Sequence, residues 1–126
     1  MIEMNGFHGR ILKIDLTTKQ FQIDALNESI AWRYLGGKGL VSWLLLKLNP
    51  AKVNPLSPEN HLIFATGPVA GGNVWGSSRY GVFTKSPLTG FYAESYAGGK
   101  VAEAMDATGF DAIVLTGAIA IGQWLY

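Results

Sequence analysis

The 126-residue sequence contains no cysteine. This chain therefore supplies no disulfide, no zinc-thiolate site and no thiolate ligand for an iron-sulfur cluster. It has only two histidines, His8 and His61, and neither has a second His, Asp or Glu nearby at metal-ligand spacing. We expect both histidines to be structural or surface residues, and we expect no metal ion to be bound by side chains of this chain.

The sequence also lacks an excess of charge and a long apolar run. Ten Lys and Arg balance nine Asp and Glu, which leaves a formal net charge of +1 and no strong field for nucleic acid or an anionic membrane. The longest apolar run, residues 40–46, is interrupted by Ser42 and falls far short of the ~20 residues that span a bilayer. The first ten residues lack the apolar segment of a secretory signal. We predict a cytoplasmic protein with neither nucleic acid nor membrane as a partner.

Glycine, in contrast, is abundant. The 16 glycines occur at roughly twice the usual frequency of ~7%, and they form pairs and clusters without a fixed period. Such clusters indicate close approach of the backbone to another group. With 48% hydrophobic residues, the chain is long enough for one domain with its own core and too short for several.

The pattern of apolar residues and turn formers predicts an α+β fold, made of β-sheets with short helices. An N-terminal hairpin is followed by a helix that Asn27 caps, and the glycines at 36, 37 and 39 separate this helix from a second, apolar one. The predicted strands are residues 10–16, 20–25, 62–65, 79–85, 91–97, 112–115 and 119–126, and the predicted helices are residues 28–35, 40–48 and 101–107.

Two familiar nucleotide-binding motifs are excluded. Gly71 and Gly76 have the separation of a P-loop, but Ser77 occupies the position at which that motif needs its phosphate-binding lysine. No Gly-x-Gly-x-x-Gly sequence lies between a strand and a helix, so a dinucleotide-binding Rossmann site is not predicted.

Three features have both a functional and an ordinary interpretation. Gly98 and Gly99 precede a predicted helix, whose free N–H groups suit an anion, although a tight turn is the commoner role of such a pair. Arg79 follows a run of small residues, and its planar guanidinium suits phosphate or a pterin-like ring as well as a surface salt bridge. The carboxylates Glu103, Asp106 and Asp111 have no spacing that specifies a catalytic role, so solvated side chains are expected.

The order and wording of these segments resemble the N-terminal domain of the aldehyde ferredoxin oxidoreductase family, and the resemblance covers nearly the whole chain. Each segment alone is weak evidence for the resemblance, but the segments occur in the same order and at the same spacing as in the family. The segments are GRIL at 9–12, DLTT at 15–18, LGGKGL at 35–40, PLSPEN at 55–60, LIFATGP at 62–68, RY at 79–80, TKSPLTG at 84–90, GG at 98–99 and GFDAI at 109–113.

The resemblance implies a cofactor as well as a fold. Members of the family hold tungsten or molybdenum through the dithiolenes of two molybdopterin-type pterins, which lie against the β-sheets of the N-terminal domain. Arg79 matches the family arginine between a pterin and the iron-sulfur cluster. Tyr96 stands where tungsten enzymes commonly have an asparagine whose backbone carbonyl contributes to a magnesium site on the pterin phosphates. Ser78, Gly98 and Gly99 complete the implied cofactor-binding set.

By the same resemblance, residues 1–126 form an incomplete, pterin-binding N-terminal domain, without the cluster-binding and catalytic C-terminal domains. The complete enzyme oxidises aldehydes to carboxylic acids and passes electrons through a 4Fe-4S cluster to ferredoxin. The cysteines of that cluster and the substrate-facing residues lie beyond this stretch. This chain alone is therefore expected to be inactive, with no catalytic residue of its own, and to need the remainder of the enzyme or a completing subunit.

An alternative interpretation is a non-catalytic fragment or separate subunit that binds pterin or a protein partner. It rests on the predicted last strand, residues 119–126, whose apolar side chains include Ile119, Ile121 and Trp124. An apolar strand at the edge of a sheet favours pairing with another chain, so self-association into a homo-oligomer is also expected.

Overall fold

A computed structural model describes residues 5–120 of the chain as one mixed six-stranded sheet with three short helices, which confirms the α+β prediction. The strand order is β2-β1-β6-β3-β4-β5, and every neighbouring pair is antiparallel except β1 and β6. The elements are β1 (Arg10–Asp15), β2 (Gln20–Ala25), α1 (Glu28–Tyr34), α2 (Gly37–Leu48), β3 (Leu62–Thr66), β4 (Arg79–Lys85), β5 (Tyr92–Gly98), α3 (Lys100–Ala107) and β6 (Ala112–Thr116).

The predicted hairpin and the first helix start are both present. In the turn between β1 and β2, the Asp15 carboxylate accepts the N–H groups of Thr17 at 2.9 Å and Thr18 at 3.3 Å. At the start of α1, the Asn27 side chain accepts the N–H of Ser29 at 2.8 Å. Each contact satisfies a backbone donor that local geometry leaves free, so these polar residues define where the elements turn and begin.

The predicted start of the second helix at residue 40 is wrong by about one turn, because α2 begins at Gly37. The glycines do not break this helix but allow it to lie close to the end of α1. A Cβ atom at Gly39 would overlap the carbonyl oxygen of Tyr34, and Gly36 adopts a φ of 71°. Every other predicted element within the described residues agrees with the structure to within one residue at either end.

The hydrophobic core lies between one face of the sheet and the helices α1 and α2. Phe83, Leu40, Ile63, Val41 and Val114 are the largest fully buried side chains. They come from three strands and α2, so the core joins segments that are far apart in the sequence. Burial of each such side chain contributes about 1.5–3 kcal/mol.

The last predicted strand, residues 119–126, lies mostly outside the described residues. Of its positions, Ile119 and Ala120 are described, and neither belongs to a strand. Among the described residues, no helix has the length and apolar character required to cross a membrane.

Candidate functional site

One end of the sheet carries a cleft of about 370 Å³. The loop between β3 and β4, the first residue of β4, the last of β5 and the start of α3 form its walls. The lining residues are Gly72, Val74, Gly76, Ser77, Ser78, Arg79, Gly98, Gly99 and Glu103.

Four of the five cofactor-binding residues predicted from the sequence line this cleft. Arg79 and Gly98 stand opposite each other in the β4–β5 pair. The hydroxyl of Ser78 donates a hydrogen bond to the carbonyl oxygen of Gly99, which ties the loop before β4 to the start of α3. The antiparallel pairing thus brings together residues that are about 20 positions apart in the sequence.

The start of α3 contributes backbone donors to the cleft. Gly99 is the N-cap residue, with φ 94° and ψ −157°, and no side chain caps the helix there. The first N–H groups of a helix have no partner within the helix and carry its positive dipole end. A Cβ atom at Gly99 would have no neighbour within 4 Å, so glycine is needed here for its positive φ and not for lack of space.

Two side chains of opposite charge line the same cleft. Arg79 is exposed, and within residues 5–120 its guanidinium forms no salt bridge or hydrogen bond with another side chain. Glu103 lies in the first turn of α3. Sequence reasoning missed the position of Glu103 in this cleft, although its place three residues after the start of α3 was the available signal. A bound anion would contact the guanidinium and experience repulsion from Glu103.

Tyr96 lies elsewhere on β5 and is not among the residues that line the cleft. Its ring packs edge-to-face on Phe83, with the ring centroids 5.7 Å apart, and its hydroxyl donates to Glu94 Oε2 at 3.2 Å. Burial and the neighbouring Glu94 carboxylate raise the pKa of Tyr96 above its usual value. The predicted part of its backbone carbonyl in a magnesium site stays a prediction.

Glu94 also joins β5 to α2. Its carboxylate oxygens lie 2.9 Å and 3.0 Å from Lys38 Nζ. This contact lowers the pKa of Glu94 and raises the pKa of Lys38, because each charge favours the charged form of the other. Tyr92 accepts a hydrogen bond from Ser42 Oγ at 3.3 Å and adds a second contact between the same elements.

Both histidines make structural contacts in the described part of the chain. His8 Nε2 lies 3.0 Å from Asp106 Oδ1 on α3, beside a small cleft of about 150 Å³. His61 Nδ1 lies 2.7 Å from Asn49 Oδ1. No group of three His, Cys, Asp or Glu residues that could hold a metal ion occurs within residues 5–120.

The expectation of a solvated Asp111 is wrong, because only 5% of this residue is exposed. Its carboxylate accepts the backbone N–H groups of His8 at 2.9 Å, Gly9 at 2.8 Å and Arg10 at 3.2 Å. The buried carboxylate thus satisfies three backbone donors and fixes the N-terminal segment. Asp111 is a structural residue.

A larger groove, of about 600 Å³, lies between α2 and the β4–β5 hairpin. Its lining is mostly apolar and includes Leu45, Leu46 and Phe91. The one charged side chain of β4 in this groove, Lys85, donates to the carbonyl oxygen of Val53 at 2.6 Å. A second lysine, Lys52, also lines the groove and is exposed, so the groove differs from the cleft at Arg79 in its mostly apolar lining.

Comparison with known proteins gives a consistent assignment. The sequence model of the aldehyde ferredoxin oxidoreductase N-terminal domain matches residues 11–126. A tungsten-containing aldehyde ferredoxin oxidoreductase of Pyrococcus abyssi is 42% identical over 123 residues, which are 98% of this chain and 20% of the relative. The WOR-like subunit of an aliphatic sulfonate oxidoreductase from Pyrococcus furiosus is 29% identical and is covered to 18% of its length.

A solved structure gives the same result. The active-site complex BamBC of benzoyl coenzyme A reductase, in complex with 1,5-dienoyl-CoA, matches 91% of this chain with a TM-score of 0.88 and 36% sequence identity. This chain spans 18% of the matched chain of that complex. The similarity therefore concerns about one fifth of each longer protein.

Proposed function

The chain belongs to the aldehyde ferredoxin oxidoreductase family and matches the N-terminal domain of that family. We propose that it supplies part of the binding surface for a bis-pterin cofactor that carries tungsten or molybdenum. Residues 1–126 then form the first part of that domain, and the cluster-binding and catalytic domains belong to the remainder of the enzyme. The relatives named tungsten-containing favour tungsten as the metal.

The observation that carries this proposal is the convergence of Ser78, Arg79, Gly98 and Gly99 on one cleft. The cleft combines an exposed guanidinium with the uncapped start of α3. Both are donors for an anion such as the phosphate group of a pterin cofactor. The donor set therefore fits the anionic part of the cofactor, and its glycines permit close approach of the backbone.

The roles of these residues follow from their chemistry. Arg79 orients the cofactor and holds positive charge beside an anionic, redox-active group. The first N–H groups of α3 bind an oxygen of the ligand, while the hydrogen bond from Ser78 to Gly99 keeps the two walls of the cleft in register. When bound, the cofactor supplies the metal and its redox chemistry, and the pterin dithiolenes supply the metal's sulfur ligands.

The complete enzyme is proposed to oxidise an aldehyde to a carboxylic acid and to transfer the electrons through an iron-sulfur cluster to ferredoxin. With no cysteine in this chain, the cluster's thiolate ligands belong to the remainder of the enzyme or to a completing subunit. A magnesium ion that accompanies the cofactor would have the backbone carbonyl of Tyr96 as one ligand, on β5 and outside the lining of the cleft.

Substitution of Arg79 by Ala in the complete protein tests the proposal. We expect less bound tungsten or molybdenum per protein, because the cofactor loses its fixed cation, and lower aldehyde-oxidising activity. The matched control is Arg33→Ala, which removes an arginine from the last turn of α1 and leaves the cleft intact. Metal content is measured by mass spectrometry. Unchanged metal content and turnover in Arg79→Ala would contradict the proposal.

The second candidate function is a separate, non-catalytic subunit that binds pterin or a protein partner. One relative is itself described as a WOR-like subunit, and this chain spans about one fifth of its length. The coding sequence after the Tyr126 codon distinguishes the two functions. Continuing family-like sequence with clustered cysteines supports the enzyme, whereas a stop codon beside a gene for the missing domains supports the subunit.

A further inference from the structure

The face of the sheet opposite α1 and α2 is apolar and only partly buried. Strand register places nine large apolar side chains on this face, from β1, β2, β3, β4 and β6. We call it the open face. Its residues are Leu12, Ile14, Phe21, Ile23, Leu62, Phe64, Val82, Ile113 and Leu115.

Burial differs sharply between the two faces of the same strands. On the helix-covered face, Ile63, Ala65 and Phe83 are each 0% exposed. On the open face, none of the nine side chains is fully buried, and Phe21 and Ile23 are 71% and 48% exposed. The strands therefore have apolar side chains on both faces, and helices α1 and α2 cover only one of them. The end of α3 reaches the margin of the other face, where Arg10 Nε donates to the carbonyl oxygen of Gly109.

Charge is distributed in the opposite way from a solvated sheet. The strand residues Lys13, Asp24 and Glu94 all lie on the helix-covered side by strand register. By the same register, this side of the sheet also carries the polar residues Thr66, Tyr80, Thr84 and Ser95, and Arg10 is the charged strand residue on it. Arg10, at the margin of that face, lies over the ring of Phe110 at 5.1 Å. A sheet face that meets water normally carries mostly polar side chains, whereas this side of β1, β2, β3 and β6 carries mostly apolar ones.

We propose that the open face packs against an apolar, uncharged layer from the remainder of the longer polypeptide. This inference rests on the proposed function, in which the chain is part of a longer enzyme. In the Pyrococcus abyssi relative, the matching segment makes up 20% of the polypeptide. Two-layer packing buries both faces of such a sheet. A layer of the same polypeptide also meets this face at a high effective concentration, which a second copy does not.

The position of the open face separates this interface from the cofactor cleft. By strand alternation, Arg79 lies on the same side of β4 as the buried Phe83, whereas Val82 lies on the open face. A substitution on the open face therefore tests assembly without altering a residue that lines the cleft. Phe64 and Ile113 are suitable positions because they are register partners at the centre of this face.

The experiment produces the 126-residue chain together with the remainder of the same longer protein as a second polypeptide. Affinity purification and light scattering measure whether they form a one-to-one complex. We expect the wild-type chain to assemble and Phe64→Lys or Ile113→Lys to weaken assembly more than tenfold. The matched control is Leu46→Lys on α2, where the side chain is 87% exposed and lies on the opposite side of the sheet from the open face.

Folding of each variant is checked separately by circular dichroism and thermal unfolding. Hydroxyl-radical footprinting of the wild-type complex provides a measurement that does not depend on any variant, and it should show protection of Phe21, Phe64 and Leu115. Three results would overturn the proposal: no complex with the wild-type chain, undiminished assembly of folded Phe64→Lys, or a homodimer through this face that excludes the remainder.

The two proposals fail in different ways. Arg79→Ala should leave assembly unchanged while it lowers metal content. If assembly depends on the open face but Arg79→Ala retains its metal, the cofactor proposal is wrong and the interface stands. If the lysine variants of the open face assemble normally but Arg79→Ala loses metal, the interface proposal is wrong and the cofactor site stands.

Discussion

Arg79 and Glu103 place opposite charges in one cleft, and this pairing determines how strongly the cleft attracts an anion. Neither side chain takes part in the three salt bridges of the described residues. The carboxylate of Glu103 reduces the positive potential that Arg79 and the start of α3 create. At the residue scale, the balance between these two groups is therefore the property of the site that is most easily changed.

Glu103→Gln should tighten anion binding to the cleft by about two- to five-fold, the range expected for one exposed charge. The substitution removes the negative charge and keeps the shape of the side chain. Calorimetric titration with a pterin monophosphate measures the affinity. Glu28→Gln, in the first turn of α1, is the control for a change in net charge alone. Equal or weaker binding by Glu103→Gln would show that Glu103 does not oppose the ligand.

His61 gives a prediction about stability and pH. Burial, followed by the nearby Lys13, lowers the pKa of His61 below the usual value of 6.5. A histidine with a lowered pKa binds its proton more weakly in the folded state than in the unfolded state. The free energy of unfolding should therefore fall as pH drops below about 6.5 and toward the folded-state pKa. His61→Gln should flatten this part of the curve, which urea unfolding at several pH values measures. An unchanged slope would contradict the assignment to His61.

At the scale of elements, the start of α3 depends on one glycine more than on its neighbour. Gly99 has a φ of 94°, whereas Gly98 has no positive φ, and a Cβ atom there would make an ordinary 3.5 Å contact with Ser78 O. Gly99→Ala should reduce the free energy of unfolding by about 1–2 kcal/mol. Gly98→Ala should be tolerated much better. Thermal unfolding of both variants measures the difference, and equal stability would contradict this description of the turn.

The sequence predicts those features of the elements that depend on neighbouring residues, and it does not predict those that depend on contacts between distant segments. Asn27 and the alternating residues of β2 and β4 act over a few neighbouring positions, so their structures follow from local patterns. The start of α2 does not, because Gly39 serves a contact with Tyr34 that exists only after the two helices pack. Asp111 was mispredicted for the same reason, since its hydrogen-bond donors lie about 100 residues earlier in the sequence.

The candidate site shows the same division. The resemblance to the family identified Ser78, Arg79, Gly98 and Gly99, and pairing of β4 with β5 brings them together. It did not indicate that Tyr96 packs against Phe83 and bonds to Glu94, because these contacts depend on strand register. Nor does alternation reveal the open face. A strand such as β6, with apolar residues on both sides, does not indicate which side the helices cover.

At the scale of the whole molecule, stability should depend on one covered face of the sheet. Phe83 is 0% exposed and belongs to the core with α2, so Phe83→Ala should cost about 3–5 kcal/mol through lost contacts and a cavity. Phe21, which is 71% exposed on the open face, should tolerate Ala within about 0.5 kcal/mol. Chemical unfolding of the isolated chain compares the two. A large loss in Phe21→Ala would mean that the open face is already covered.

The two faces thus have separate roles in the proposed enzyme. The helix-covered face stabilises the segment, the open face docks it to the remainder of the polypeptide, and the cleft at the end of the sheet binds the cofactor. In this proposal, a segment that spans 20% of a relative contributes its own set of cofactor contacts. A rigid sheet holds Arg79 and the start of α3 at fixed positions while other domains complete the site.

A structure of the complete protein with its cofactor bound tests the central claim most directly. We predict that a phosphate or ring heteroatom of a pterin lies within about 3 Å of the Arg79 guanidinium and of a backbone N–H in the first turn of α3. A cofactor bound elsewhere, for example in the groove lined by Leu45 and Phe91, with the cleft at Arg79 filled only by solvent, would contradict the account.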